Sequence, residues 1–377
     1  MDFALNSDQQ LLKDAARTFL DAQCPSAVVR ALWDEGRGES EAIWKDMAQL
    51  GWLGLALPES VGGSALGMVE TAIVLEELGR AACPSPYFPT VLAATAVAEA
   101  GSAVQQRRWL PAVAAGGARA TVAFLDTDWG WEAGGVMTQA TRTSHGWSLR
   151  GTKRFVPWAH VADVVVVPAQ TADGLGLFVV EAAATGLVVS PMPAIDLGTR
   201  WSTITLDGVS VANDAALGVP GQASALLDML LRRGAVGAAA EMLGAARRCL
   251  DMSVAYAKVR EQFGQPIGAF QAIRHKCAEM LVEVENAHAA TYYAAWALDA
   301  AAEDAAMAAS VAKAYVGDAA RKVCGEAIQV HGGIGFTWEY DLHLYVKRAK
   351  ALEAMYGDAD HHRELIVRLL AGETGGR

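Results

Sequence analysis

Apolar residues recur along this chain with three different spacings. In "NSDQQLLKDAARTFLDAQ", Leu11, Leu12, Ala15, Phe19 and Leu20 fall at helical intervals behind a cap at Asn6 or Ser7. "SEAIWKDMAQLGWLGL" predicts a second amphipathic helix ending at Gly51, and "GMVETAIVLEELGRAAC" a third with Gly79 as its stop. A further helix leads through "AVQQRRWLP" to Pro111. At about residue 118 the texture changes to short β-branched runs, "ATVAFL", "GWSLRGTKRFV", "ADVVVVPAQ", "GLGLFVVEA", "TGLVVSPM" and "STITLDGVSV". Gly, Asp, Asn and Pro separate them, which predicts a small antiparallel barrel or sandwich. From about residue 223 the pattern is helical again, in long segments. The expected fold is mainly α with an inserted β-domain: helices over 1–117, strands over 118–222 and a helical bundle over 223–377. Strands and helices do not alternate, so a doubly wound α/β sheet is not expected.

Composition narrows the function. The 377 residues are 53% hydrophobic and 19% charged, enough apolar material for two or three domains. A net charge of −11 leaves nothing to neutralise a phosphate groove or to form a polybasic membrane anchor, so no nucleic acid and no membrane is expected as a partner. "MDFALNSDQQ" lacks the basic and then apolar order of a signal peptide, and the expected location is the cytoplasm. The five cysteines are scattered and never in CxxC spacing, as in a reduced protein whose cysteines pack in cores.

The common nucleotide, hydrolase and metalloprotease spacings are absent: no GxGxxG after a strand, no GxxxxGK[ST], no GxSxG and no HExxH. In "AMYGDADHH" (354–362), Asp358, His361 and His362 fall at i, i+3, i+4, but paired histidines near a helix end are ordinarily solvated, and no metal is expected.

Two segments carry more. In "YAKVREQFGQPIGAFQAIRHKCAEM" (256–280) a helix ends at Arg260, Gln262 and Phe263, and Gly264 and Pro266 stop it. Phe270 and Gln271 open the next helix, whose buried face is expected to run Ile273, Cys277, Met280, Leu281. A guanidinium at such a corner suits a pyrophosphate, because its planar donors match paired oxygens. In "QVHGGIGFTWEYDLHLYVKRAK" (329–350), Gly332, Gly333 and Gly335 mark a bend with positive φ whose N–H groups can meet an anion.

Together these segments resemble the acyl-CoA dehydrogenase family, which has an R-x-x-F-G-x-P-I…F-Q segment and a Q-x-x-G-G-x-G segment. "WKDMAQLGWLGLALPESVGG", "LEELGR", "RRWLPAVAAG" and "GWSLRGTKRFV" extend the resemblance over most of the chain. It implies N-terminal helices, a β-domain and a C-terminal four-helix bundle. It also implies FAD as cofactor, an acyl-CoA thioester as substrate, electron-transfer flavoprotein as acceptor and a tetrameric assembly. In such enzymes a carboxylate takes the α-proton while the flavin accepts a hydride from the β-carbon. Arg260, Gln262, Phe263, Phe270, Gln271, Gln329, Val330, His331, Gly332 and Gly333 match positions that reach a neighbour's FAD.

The chain departs from the family elsewhere. Its usual base is the Glu of a Y-E-G-T stretch; anchoring on "KRAK" and Gly357 puts Tyr356 there and Asp358 at the Thr. A second family position for the base falls on Gly234, with Ala235 where an arginine is common. "FLDTDWGWEAGG" keeps little of the T-E-P-x-x-G-S-D segment that lines the flavin. "FVPW" replaces W-I-[TS]-N, and Pro157 has no N–H to offer. The resemblance therefore implies a subunit that completes a related partner's FAD site without supplying the base, as in the paired dehydrogenases of actinobacterial steroid side-chain breakdown. Three alternatives stay open. One is a homotetramer with an unusual base, chosen from Asp358, Asp360, Glu353 and Glu241. The others are a flavin monooxygenase or oxidase on the same fold, and a flavin-free protein that keeps the scaffold.

Overall fold

A computed structural model describes residues 5–128 and 130–372. The helices are α1 (Ser7–Gln23), α2 (Ser26–Asp34), α3 (Glu41–Gln49), α4 (Met68–Ala81), α5 (Tyr87–Ala100) and α6 (Ala103–Ala114). Strands β1 (Ala120–Val122), β2 (Gln139–Arg142), β3 (Gly146–Pro157), β4 (Val164–Thr171), β5 (Gly174–Glu181), β6 (Leu187–Met192), β7 (Trp201–Ala212) and β8 (Ala216–Gly221) follow. Then come α7 (Ser224–Val259), the short strands β9 (Glu261–Gln262) and β10 (Gln265–Pro266), α8 (Gln271–Asp299), α9 (Ala305–His331), α10 (Leu342–Glu353) and α11 (Ala359–Leu370). Helices, strands and helices follow one another in the expected order. By internal contacts the chain forms two compact units.

Of the described residues, one unit gathers 5–31, Met68–Cys83 and 234–372. Asn6, rather than Ser7, caps α1, in a capping box with Gln9. Helix α4 packs on α1 and α8, and α9 is flanked by α8, α10 and α11. Gly79 does not stop α4. It lies inside the helix, where a Cβ would come 2.0 Å from the Glu241 carbonyl oxygen of α7. Gly244 of α7 answers it, with a Cβ that would lie 1.8 Å from the Glu76 carbonyl oxygen. Glycine is thus required on both sides of a close helix crossing. The N-terminal half of α8 is more open than its pattern suggested: Met280 is buried, Ile273 and Cys277 are half-buried, and Leu281 is 48% exposed.

The other unit holds Leu32–Gly67 and Pro84–Arg233. Ser40 caps α3, and Gly51 takes a left-handed φ of 78° just after it. Helix α6 continues through Pro111 to Ala114 instead of ending there. The strands form one sheet in the order β6-β7-β3-β2-β4-β5-β8, with β1 on β4. Pairing is mostly antiparallel, but β1 and β2 run parallel to β4. Alternate residues of β3, β4, β5 and β7, including Leu149, Val165, Val167, Phe178 and Ile204, make the buried core of this sheet. The register of β3 on β7 shifts between Lys153 and Val156, a bulge that puts Phe155 at φ 51°. All five cysteines are free thiols; Cys277 is half-buried and the other four are buried. No helix among the described residues is long and apolar enough to cross a membrane.

Candidate functional site

The Arg–Phe–Gln segment is a hairpin, not the tail of a helix. Helix α7 ends at Val259, and β9 pairs with β10 around Phe263 (φ 54°) and Gly264 (φ 78°). Two successive left-handed residues define a type I′ turn. Phenylalanine in that conformation is strained by about 1 kcal/mol or more. Its ring is nevertheless 93% exposed, touching Phe270 edge to face at 6.1 Å. Arg260, Gln262 and Gln271 are exposed beside it, and no intrachain ion pair holds Arg260 among the described residues. A strained aromatic ring left in water is costly in an isolated chain.

The glycine segment follows α9. The His331 ring donates from Nδ1 to the Ala327 carbonyl (2.7 Å), stacks on Tyr256 (4.6 Å) and meets Tyr340 at a tilt (5.0 Å). Tyr256 lies one turn before Arg260, so this stack brings the two predicted segments to one corner. Val330 and His331 are buried, while Gln329, Gly332 and Gly333 are exposed. Of the three glycines only Gly332 has positive φ (64°). A Cβ on Gly332 or Gly333 would meet nothing within 4 Å, so packing does not require these two, whereas Gly335 packs on His331. A guanidinium, carboxamides, an edge-to-face phenylalanine pair and an open glycine turn form a donor set that fits a pyrophosphate and a flat aromatic ring. FAD has both.

The two positions at which the resemblance places the family's base, 234 and 356, meet in this chain. A Cβ on Gly234 would lie 2.4 Å from the Tyr356 ring, so the phenol covers the bare helix surface at Gly234. Tyr356 is buried and left-handed (φ 58°), followed by Gly357 at φ 93°. Burial, reinforced by the charge of Glu241, pushes the phenol pKa up. A neutral phenol is no proton acceptor at physiological pH.

The alternative carboxylates all have other partners. Asp358 caps α11, accepting the His361 N–H at 2.9 Å. Glu241 accepts from the buried Arg348 guanidinium at 2.7 Å. Glu353 accepts from Arg321 (3.0 Å) and Lys350 (2.8 Å). Asp360 is exposed and pairs with Arg363 at 3.0 Å. Of the two histidines, His362 is buried rather than solvated, and its Nε2–H donates to the Tyr356 carbonyl (2.9 Å). Lys313 and Arg348 are both fully buried, which their charge alone does not predict. Lys313 shares a helical face with the buried Ala309, Val316 and Ala320, and that placement of a lysine was a readable signal.

In the β unit the backbone around "FVPW" is bonded within the chain. Pro157 has no N–H, and its carbonyl accepts from Thr121 (2.7 Å). The N–H of Trp158 donates to Arg200 (2.7 Å), and that of Arg154 to Leu125 (2.7 Å). Asp126, in the eroded "FLDTDWG" stretch, is enclosed. It accepts from the Met137 and Thr138 N–H groups, from the Thr138 hydroxyl and from Lys153 at 2.6 Å. Burial lowers the Lys153 pKa to about 8, against the opposing pull of Asp126.

The chain as a whole resembles known proteins. Residues 6–117 match the acyl-CoA dehydrogenase N-terminal domain, and residues 225–371 match the acyl-CoA dehydrogenase C-terminal domain. The acyl-CoA dehydrogenase FadE27 of Mycobacterium tuberculosis is 34% identical over 98% of this chain and 99% of its own. The crystal structure of the ChsE4-ChsE5 complex from Mycobacterium tuberculosis superposes with a TM-score of 0.91, at 32% identity, over the whole of both chains. A glutaryl-CoA dehydrogenase from Mycobacterium smegmatis in complex with FADH2 gives a TM-score of 0.89 at 26% identity, covering 99% of this chain and 97% of that one. The chain belongs to the acyl-CoA dehydrogenase family, a family of oxidoreductases.

Proposed function

We propose that this chain is the subunit of a hetero-oligomeric acyl-CoA dehydrogenase that completes the FAD site of a related partner and leaves the catalytic base to that partner. The observation that carries the reading is the pairing of Tyr356 with Gly234, a protonated phenol and a bare glycine where the family has its carboxylate. FAD, the cofactor of the family, supplies the hydride acceptor for the β-carbon of an acyl-CoA thioester. Toward that group this chain offers Arg260 for the pyrophosphate, with the Phe263–Phe270 pair and Gln262, Gln271, Gln329 and Gly332–Gly333 around it. The N–H groups bonded within the β unit and the enclosed Asp126 support the complementary half of the reading: little remains there for a flavin of the chain's own. The likeness to the ChsE4-ChsE5 complex supports a heteromeric assembly, and a heterotetramer is the arrangement we favour. Electron-transfer flavoprotein is the acceptor that goes with this chemistry, and the cytoplasm the location.

Arg260→Ala tests the corner. A guanidinium–phosphate contact contributes on the order of 1.5–3 kcal/mol, so the variant should weaken flavin retention in the complex about tenfold or more while the lone chain folds normally. Unchanged flavin affinity by fluorescence titration would show that the corner is not used. A homotetramer relying on Asp358 is disfavoured by the capping bond of that residue. Should the lone chain oxidise an acyl-CoA, Asp358→Ala ought to abolish turnover while leaving flavin bound.

A further inference from the structure

We propose that Lys313 and His362 are positioning residues that clamp the turn between α10 and α11, so that the side chain at position 356 is delivered onto Gly234. The Lys313 ammonium, from α9, donates to the carbonyls of Glu353 (2.8 Å) and Gly357 (2.7 Å). The His362 ring, from α11, donates from Nε2 to the carbonyl of Tyr356 (2.9 Å). Three carbonyls within five residues are thus held by two side chains from two different helices.

The turn needs such a hold. Tyr356 and Gly357 are consecutive left-handed residues, and a bulky residue in that region persists only where its surroundings over-determine it. Asp358 fixes the register of His362 by capping the first turn of α11. The clamp is itself costly. Lys313 is 0% exposed, and burial lowers its pKa to about 7 despite the charges of Glu353 and Asp358. Burial, helped by Lys313 and His361, lowers the pKa of His362 to about 3, although Asp358 and the Tyr356 carbonyl oppose it. An ammonium and an imidazole buried here only as filler would be replaced by apolar side chains at no loss.

The clamp's three hydrogen bonds all go to backbone carbonyls, so it is indifferent to the side chain that stands at 356. It would hold a carboxylate over Gly234 as firmly as it holds the phenol. The significance of that seat rests on the functional reading above; the clamp itself does not.

The test is a single 3-fluorotyrosine incorporated at position 356 of the full chain and followed by fluorine NMR. His362→Leu and Lys313→Met should shift and broaden its resonance, and His362→Gln, which keeps an N–H donor, should restore the parent line. A second label at Tyr292, buried elsewhere in the same unit, should stay unmoved in all variants that retain the parent circular dichroism. If Lys313→Met does not fold, His362→Leu against His362→Gln decides. An unmoved line at 356 in folded His362→Leu, or no rescue by glutamine, would overturn the clamp. Neither flavin nor partner enters this measurement, so turnover of acyl-CoA by the lone chain would sink the proposed function and leave the clamp standing.

Discussion

Gly234 and Tyr356 act as one fitted pair, 122 positions apart in sequence by the difference of their numbers. Gly234→Ala puts a methyl 2.4 Å from the ring, which must move. Overpacking of this kind should cost about 1–3 kcal/mol in urea unfolding, and the same change in a Tyr356→Ala background should cost much less. Equal costs in both backgrounds would show that the pair is not coupled. Counting along the sequence found both positions, yet no local pattern told that they touch, because their contact is long-range. His362 shows the same limit: "DHH" suggested a solvated pair, and burial of the second ring against a carbonyl reversed that expectation.

The pH dependence of stability also belongs to single residues. His362 has a folded pKa of about 3, below the ordinary 6.5, so between those values the unfolded chain binds the extra proton. Its neutral ring therefore contributes stability that is complete above pH 6.5 and is lost as pH falls toward 3. The slope in that window should be up to about 1.4 kcal/mol per pH unit, and His362→Gln should remove it. Lys313, with a folded pKa of about 7 against 10.5, makes stability rise between pH 7 and 9, a gain that Lys313→Met should abolish. Urea titrations at pH 4.5, 5.5, 6.5, 8 and 9 read both; slopes unchanged by the substitutions would contradict the burial of these groups.

At the scale of elements, the hairpin β9–β10 trades stability for reach. Phe263 sits in a left-handed conformation that asparagine accepts readily, next to Gly264. Phe263→Asn should leave the lone chain unchanged or stabilise it by about 1 kcal/mol, yet weaken flavin retention in the complex. Loss of stability together with unchanged flavin binding would reverse the assignment. The glycine crossing of α4 and α7 is a second element-scale case. Gly79 read as a helix stop because glycine often is one, whereas the structure uses it to let two backbones meet. Long periodic helices and β-branched strands were legible because their burial follows one period. Helix α2 and strands β2 and β8 were not, since they are short and take their form from tertiary pairing.

For the whole molecule, the order of helices, strands and helices was readable from changes of texture alone. The grouping of α4 with the C-terminal helices was not, because it depends on contacts between distant segments. The corner residues lie in two motifs, distant in sequence, that meet through the contacts of Tyr256 with His331 and Tyr340. What unites these observations is a contrast: the Phe263 ring faces outward and no ion pair holds Arg260 among the described residues, while the carbonyl of Tyr356 and the backbone at Arg154, Pro157 and Trp158 are bonded within the chain. The most direct measurement of that contrast is flavin content per chain, by visible spectrum and mass. The lone chain should be colourless and inactive toward acyl-CoA. Co-expression with a related subunit that carries the carboxylate should give a flavin-bearing complex that reduces an electron acceptor. Stoichiometric flavin in the lone chain, bleached by an acyl-CoA, would contradict the account.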